Sequence, residues 1–260
     1  MDKSTENNFI VYTPKQMKEM CRKQKESPDL IGGVLPGGVV SVLEGAPGVG
    51  KSFVALDWAL HIAGGIDWYG RSVQEPRTVV YIVGGGWTSF PPRLRRWLEK
   101  HDEEVTDVVQ GRLKDHLFFV DGISKNINMA ADGSEYDLVD KLKDINPDLI
   151  IFDSFSMLAL VEAYDKEHIS EVFSRAGYLA RELNSSVLFT HYDNDISVCS
   201  DMVIMAKKPK YSDGFYLSTK PEDGGRSRIM KSWRMDGFYV SSPGVLFKRS
   251  GSAKESLDWS

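Results

Sequence analysis

Apolar positions along the chain fall into two rhythms. Short, nearly continuous apolar runs at 39–45 (VVSVLEG), 78–83 (TVVYIV), 116–120 (HLFFV), 149–154 (LIIFDS) and 186–191 (SVLFTH) read as buried strands. Between them the spacing shifts to three and four. Residues 50–63 set Val54, Leu56, Ala59, Leu60 and Ala63 at helical intervals, and 168–184 is a strongly amphipathic helix. Shorter helices are predicted at 90–100, begun by prolines, and at 136–145. Strands apolar on both faces, alternating with helices, predict an α/β fold with a mostly parallel central sheet flanked by helices. Beyond them MVIMA, GFYLST, RIMKSW and GFYVSS are separated by turn signals and predict a C-terminal antiparallel extension.

The chain ends read differently from this core. Residues 1–12 are polar, and Thr13-Pro14 supplies an N-cap and a first-turn proline for a short charged helix. Its face of Met17, Met20, Cys21 and Gln24 is weakly apolar, so the arm packs either on its own core or on a neighbouring subunit. The expected organisation is an N-terminal arm and short helix over 1–30, a core over 31–240, and a C-terminal strand and polar tail over 241–260.

Composition narrows the class. With 260 residues, 42% hydrophobic and 27% charged, the chain can bury a core of ordinary depth, which excludes disorder, collagen and coiled coil as the main architecture. A net charge of −5 argues against a surface coated in positive charge for duplex DNA. Within 207–234, however, eight basic side chains face three acids, with Phe215, Tyr216 and Trp233 interleaved. Such a stretch fits either a solvated antiparallel meander or a lining that tracks single-stranded DNA. The two cysteines, Cys21 and Cys199, stand alone, which predicts a reducing, cytoplasmic setting. No apolar run approaches about 18 residues and no apolar signal core opens the chain, so no membrane partner is expected.

The sharpest chemical signal is Gly45-Ala46-Pro47-Gly48-Val49-Gly50-Lys51-Ser52, a complete G-x-x-x-x-G-K-[ST] between a predicted strand and a predicted helix. Glycines let backbone N–H groups converge on phosphates, and the helix N-terminus adds partial positive charge. Lys51 is placed for the β- and γ-phosphates, Ser52 for Mg²⁺. Gly45 through Phe53 is therefore the expected ATP-binding segment. Asp153, ending an apolar strand, is the expected second anchor for Mg²⁺, with Asp121 as its competitor. Arg93, Arg95 and Arg96 are either a solvated helix face or a source of an arginine for a neighbour's γ-phosphate. His191, at a strand end, is either a structural histidine or a γ-phosphate sensor, and Lys220 at the end of GFYLST poses the same choice.

Taken in order, GAPGVGKS, FVALDWALHIAGG, WYGRSV, YIVGGGWTSFPPRLRRW, LIIFDS, LARELNSSVLFTH and FYLSTKPEDGG resemble the RepA-type hexameric helicase ATPases of plasmids and phages. These are RecA-like, DnaB-related P-loop NTPases, and the resemblance spans about residues 30–240. It implies a homo-oligomer, a hexameric ring acting on single-stranded DNA with ATP and Mg²⁺. It implies roles for Lys51, Ser52 and Asp153 at the nucleotide, for His191 as sensor, for Arg93 near the subunit interface, and for Lys220 toward a neighbour's phosphate. A RecA-like strand order would also set Asp121 away from the nucleotide.

Three departures matter. Relatives carry Gly-Glu-Gly after the second strand, where the Glu is the general base; here that position is Gly85. Glycine cannot orient water, so ATP binding is expected to survive and hydrolysis to be impaired. Glu44, on the loop strand itself, is not placed to replace it. A His-His pair has become His191-Tyr192, followed by a short loop, and the basic residue expected after Lys220 is Glu222. The alternative function is therefore an ATP-gated assembly or recombination-mediator module that binds nucleotide and DNA without unwinding.

Overall fold

The computed structural model describes residues 12–19, 28–159, 166–192, 201–207, 214–220 and 228–234; beyond 201 it describes chiefly the backbone. Residues 14–19 form α1. Then follow β1 (Val40–Glu44), α2 (Lys51–Gly64), β2 (Val79–Val83), a 3₁₀ turn (Trp87–Ser89), α3 (Phe90–Lys100), α4 (Asp107–His116) and β3 (Leu117–Asp121). The remainder is α5 (Ser134–Leu142), β4 (Leu149–Asp153), α6 (Phe155–Leu158), α7 (Lys166–Glu182), β5 (Ser186–His191), β6 (Met202–Lys207), β7 (Gly214–Lys220) and β8 (Arg228–Arg234). One sheet orders these strands β3-β2-β4-β5-β1-β6-β7-β8. Pairing is parallel from β3 to β6 and antiparallel from β6 to β8, so MVIMA, expected in the antiparallel extension, instead lies parallel to β1 and extends the parallel sheet by one strand.

The two-residue period of the strands sorts their side chains into two cores. Leu43, Val79, Tyr81, Val83, Leu149, Ile151 and Leu188 pack against the helices α2, α3 and α4. Val42, Val80, Ile82, Ile150, Phe152, Val187 and Phe189 pack against α5, α6 and α7. Both faces are covered, which explains the nearly continuous apolar strands. Among the described residues no helix is long and apolar enough to cross a membrane.

Two elements escape the apolar pattern. The helix α4 has a polar composition and Gly111 at mid-length, so propensity and periodicity are both weak there. Its start is legible instead in Thr106, whose side chain accepts from Val109 N–H at 3.4 Å. The four-residue α6 is too short to show a period. At the other end the predicted cap is present: Thr13 Oγ1 accepts from Gln16 N–H at 3.3 Å, and Gln16 Oε1 accepts from Thr13 N–H at 2.8 Å. Residues 12–19 are exposed throughout, so this part of the arm does not pack on its own core. The remainder of the arm helix, GFYVSS and residues 241–260 lie outside the described residues.

A buried polar cluster fixes α2 to its neighbours. Asp57 Oδ2 accepts from the indole N–H of Trp68 at 2.5 Å, and Oδ1 from that of Trp97 at 2.6 Å. His61 Nε2 lies 3.5 Å from Asp57 Oδ1, and His101 stacks on Trp97 at 4.1 Å while its Nδ1 meets the Trp97 carbonyl at 2.9 Å. Each carboxylate oxygen thus has a donor, the condition for burying this charge without large cost. The cluster joins the phosphate-loop helix to the bend at 66–71 and to α3.

The two histidines titrate in opposite directions. Burial alone would lower His61, but the charge and hydrogen bonding of Asp57, helped by Glu104 and the Ile66 carbonyl, hold it above the ordinary 6.5. Burial dominates at His101 and lowers it. The His61 contribution to stability is therefore full below its unfolded pKa and lost as pH rises through its folded value. That of His101 is present above its unfolded pKa and lost as pH falls through its folded one. NMR titration should place the His61 imidazole above 6.5 and that of His101 below it, and Asp57→Asn should bring His61 down. A His61 that titrates below 6.5 in the unmodified chain would contradict this cluster.

Candidate nucleotide-binding site

The C-terminal ends of the parallel strands define one edge of the sheet, where open α/β folds hold ligands. The 45–50 loop leaves β1 at this edge and enters α2. Gly48 (φ 75°) and Gly50 (φ 104°) adopt left-handed backbone that favours glycine, and Gly50 caps the helix without a side-chain hydrogen bond. No acid stands in the first turn of α2, so its positive end is open to an anion. Lys51 Nζ folds back onto the loop, donating to the carbonyls of Gly45 at 2.7 Å and Ala46 at 3.0 Å. Burial lowers its pKa and the charge of Asp153 opposes that. A phosphate in the loop would offer this ammonium a stronger partner than two neutral carbonyls.

Asp153 ends β4, with β5 between it and the loop strand β1. By strand parity it shares the face of Leu149 and Ile151, the face covered by α2. Ser52 therefore meets it: its hydroxyl donates to Asp153 Oδ1 at 3.0 Å. Two more hydroxyls converge from the adjacent strands. Tyr81 donates to Oδ2 at 2.7 Å, and Thr190 donates to Oδ1. Thr190 and Val83 are the register partners of Asp153 on either side. A hydroxyl and a carboxylate side by side below an anion-binding loop form the hard oxygen donor set that suits Mg²⁺. The residues fit that ion, which when bound would neutralise charge on phosphate oxygens.

The other candidate residues scatter around this centre. His191 follows Thr190, so its side chain points to the opposite face, where it meets Phe155 edge-on at 5.4 Å. Its carbonyl accepts from Gly45 N–H at 3.2 Å, so its backbone holds the start of the loop. Parity along SVLFTH is the available signal for Thr190: on the side of Leu188 it faces α2, next to a histidine that is chemically more conspicuous. Arg93 lies half-buried with its guanidinium 4.9 Å from the Phe53 ring and 5.2 Å from that of Phe90, beside its own chain's loop helix. Arg95 and Arg96 are exposed. The backbone of Lys220 pairs with Val203, level with Val42 and two strands away from it. Asp121 ends β3 at the sheet edge, with its carboxylate accepting from Ser124 N–H.

The glycines after β2 differ sharply. A Cβ on Gly84 would stand 2.7 Å from Leu158 Cγ, and Gly86 has φ 68°. A Cβ on Gly85 would meet only the Met157 side chain, at 3.9 Å. Nothing in the backbone therefore requires glycine at position 85.

This fold and site define a P-loop nucleotide-binding protein with a RecA-like α/β core. The AAA domain family AAA_25 matches residues 15–193, and the chain belongs to that family. No curated protein matches it in sequence. Among solved structures it is similar to an ATPase domain, with a TM-score of 0.55 at 13% identity, covering 86% of this chain and 95% of that one. It is also similar to the KaiC-like protein PH0186 from Pyrococcus horikoshii OT3, with a TM-score of 0.51 at 16% identity, covering 82% and 91%. At these identities the likeness is one of fold.

The two neighbouring glycines should respond differently to the same methyl group. Gly84→Ala overpacks against Leu158 and should lower unfolding free energy by about 1–3 kcal/mol. Gly85→Ala should stay within about 0.5 kcal/mol of the unmodified chain. Urea unfolding of the two variants checks the contrast, and equal losses would contradict it.

Proposed function

We propose that this chain is an ATP- and Mg²⁺-binding motor protein of the RepA/DnaB helicase type, acting on single-stranded DNA in phage or plasmid replication, with hydrolysis impaired. The observation that carries the reading is the convergence of Lys51, Ser52 and Asp153 at the sheet edge, beneath an uncapped helix N-terminus. Gly45 through Phe53 would hold the nucleotide, and Ser52 and Asp153 the ion. Thr190, rather than the His191 imidazole, faces the site from β5 and is the better candidate for sensing phosphate.

The assembly we favour is a hexameric ring in the cytoplasm, with sites between subunits. Phe53, Met157 and Tyr192 are 42%, 45% and 43% exposed and lie in sequence beside Ser52, Ser156 and His191. Large apolar side chains left open in the segments that follow the phosphate loop, β4 and β5 suit a surface that a second copy covers. In that ring Arg93 and Lys220 would serve a neighbouring site, and the +5 balance of residues 207–234 would line the channel. The proposal keeps the division into an arm over 1–30, a core over 31–240 and a tail over 241–260.

Gly85 favours a second reading. If the site binds ATP without turning it over, ATP would act as the clamp of an assembly or a recombination mediator rather than as fuel.

One comparison separates the two: ATP turnover by the unmodified chain and by Gly85→Glu, each with and without single-stranded DNA. The motor reading expects little turnover at first, and a rise of about 10²–10⁴-fold on restoring the carboxylate. It also expects DNA to stimulate the Glu variant. ATP binding that supports assembly, with no turnover even in Gly85→Glu, would favour the clamp. Brisk turnover by the unmodified chain, unaffected by the Glu, would show that the base lies elsewhere.

A further inference from the structure

Among the described residues, Tyr81 is the one tyrosine placed to act on the candidate metal site. It lies in the middle of β2, fully buried, two residues before the strand ends. Its neighbours on that face are apolar: Phe90 at 5.1 Å and Phe119 at 5.8 Å between ring centroids. A phenylalanine would satisfy this packing. The hydroxyl is therefore the part that packing leaves unexplained, and it reaches away from the rings. It donates to Asp153 Oδ2 at 2.7 Å and lies 3.4 Å from the backbone carbonyl of Ser52. The two residues it touches are the two that would hold Mg²⁺.

We propose that Tyr81 is a positioning residue for metal-assisted nucleotide binding, fixing the Asp153 carboxylate so that one oxygen faces the ion while Ser52 is kept in register. The inference rests on the reading of Ser52 and Asp153 as the Mg²⁺ side of the site. Its logic is division of labour on one carboxylate. Oδ1 takes the hydroxyls of Ser52 and Thr190, and Oδ2 takes that of Tyr81. Without the phenol, Oδ2 loses its donor and only the hydroxyls at Oδ1 restrain the carboxylate's terminal torsion, which is broad and has no staggered well of its own. Outer-shell partners of this kind typically alter metal affinity by about 10–100-fold.

The test separates metal-dependent from metal-independent nucleotide binding. A fluorescent ATP analogue is titrated onto the full chain, Tyr81→Phe, Thr190→Val and Asp153→Asn, first in EDTA and then at stepped Mg²⁺. The expected result is an unchanged EDTA affinity for Tyr81→Phe with its Mg²⁺ midpoint raised by about tenfold. Thr190→Val should move the midpoint the same way through the other oxygen, and it keeps the question answerable if Tyr81→Phe folds poorly. Asp153→Asn should lose most of the Mg²⁺ enhancement. A purely structural role for the phenol would lower the melting temperature and leave the midpoint in place, and that outcome overturns the proposal. An Asp153→Asn variant with an unchanged Mg²⁺ curve overturns both the positioning role and the metal reading beneath it. If Asp153→Asn shifts and neither hydroxyl variant does, the metal reading stands and the positioning role falls.

Discussion

A single buried carboxylate organises this edge of the molecule. Asp153 is 6% exposed, and a carboxylate at that depth is tolerated only when hydrogen bonds replace water. Its donors come from α2, β2 and β5, so satisfying one side chain at the end of β4 fixes three other elements against it. Parallel register supplies the geometry. Val83, Asp153 and Thr190 stand level across three strands, and His191 stands level with Glu44, where the loop begins. A slip of one residue in β4 would carry the carboxylate to the opposite face, among the phenylalanines around α6 and α7. The sheet's pairing and the site's chemistry are thus one constraint seen at two scales.

The helix that receives the loop is held a second time, one turn further along. Asp57 draws the indoles of Trp68 and Trp97 onto α2, and Trp97 belongs to the helix that carries Arg93. The arginine's place over Phe53 therefore follows from a buried hydrogen bond four residues further along α3. Both anchors of α2 are carboxylates in low-polarity surroundings, where a satisfied polar contact specifies one arrangement far more sharply than apolar packing does. The same arrangement makes α2 and α3 a unit. Arg93 in turn rests on Phe53, two residues after the phosphate-loop lysine.

Much of this was legible in the amino-acid sequence, for physical reasons that can be named. The strand runs were clear because both faces of a parallel sheet are buried, and the phosphate loop because its backbone conformations admit few residues. The edge position of Asp121 followed from the RecA-like strand order that the family resemblance implied. What escaped were features whose signal is relational. Tyr81 looks like any core aromatic until β2 is known to lie beside β4. Asp57, His61 and His101 are scattered polar residues until two tryptophans close over them. Thr190 is legible by counting alternate residues along SVLFTH, beside a His191 that is chemically more conspicuous. α4 was missed because its composition favours no period.

The three glycines after β2 carry a final distinction. Gly84 is required by Leu158, which leaves no room for a side chain, and Gly86 by its left-handed backbone. Gly85 is required by neither, and it is exposed between them. A Cβ there would meet only the Met157 side chain, at 3.9 Å. Backbone geometry constrains the two flanking positions and leaves the middle one free. Loop, helix N-terminus, lysine and carboxylate can bind a nucleotide without any contribution from position 85, because binding draws on charge and amide donors already in place.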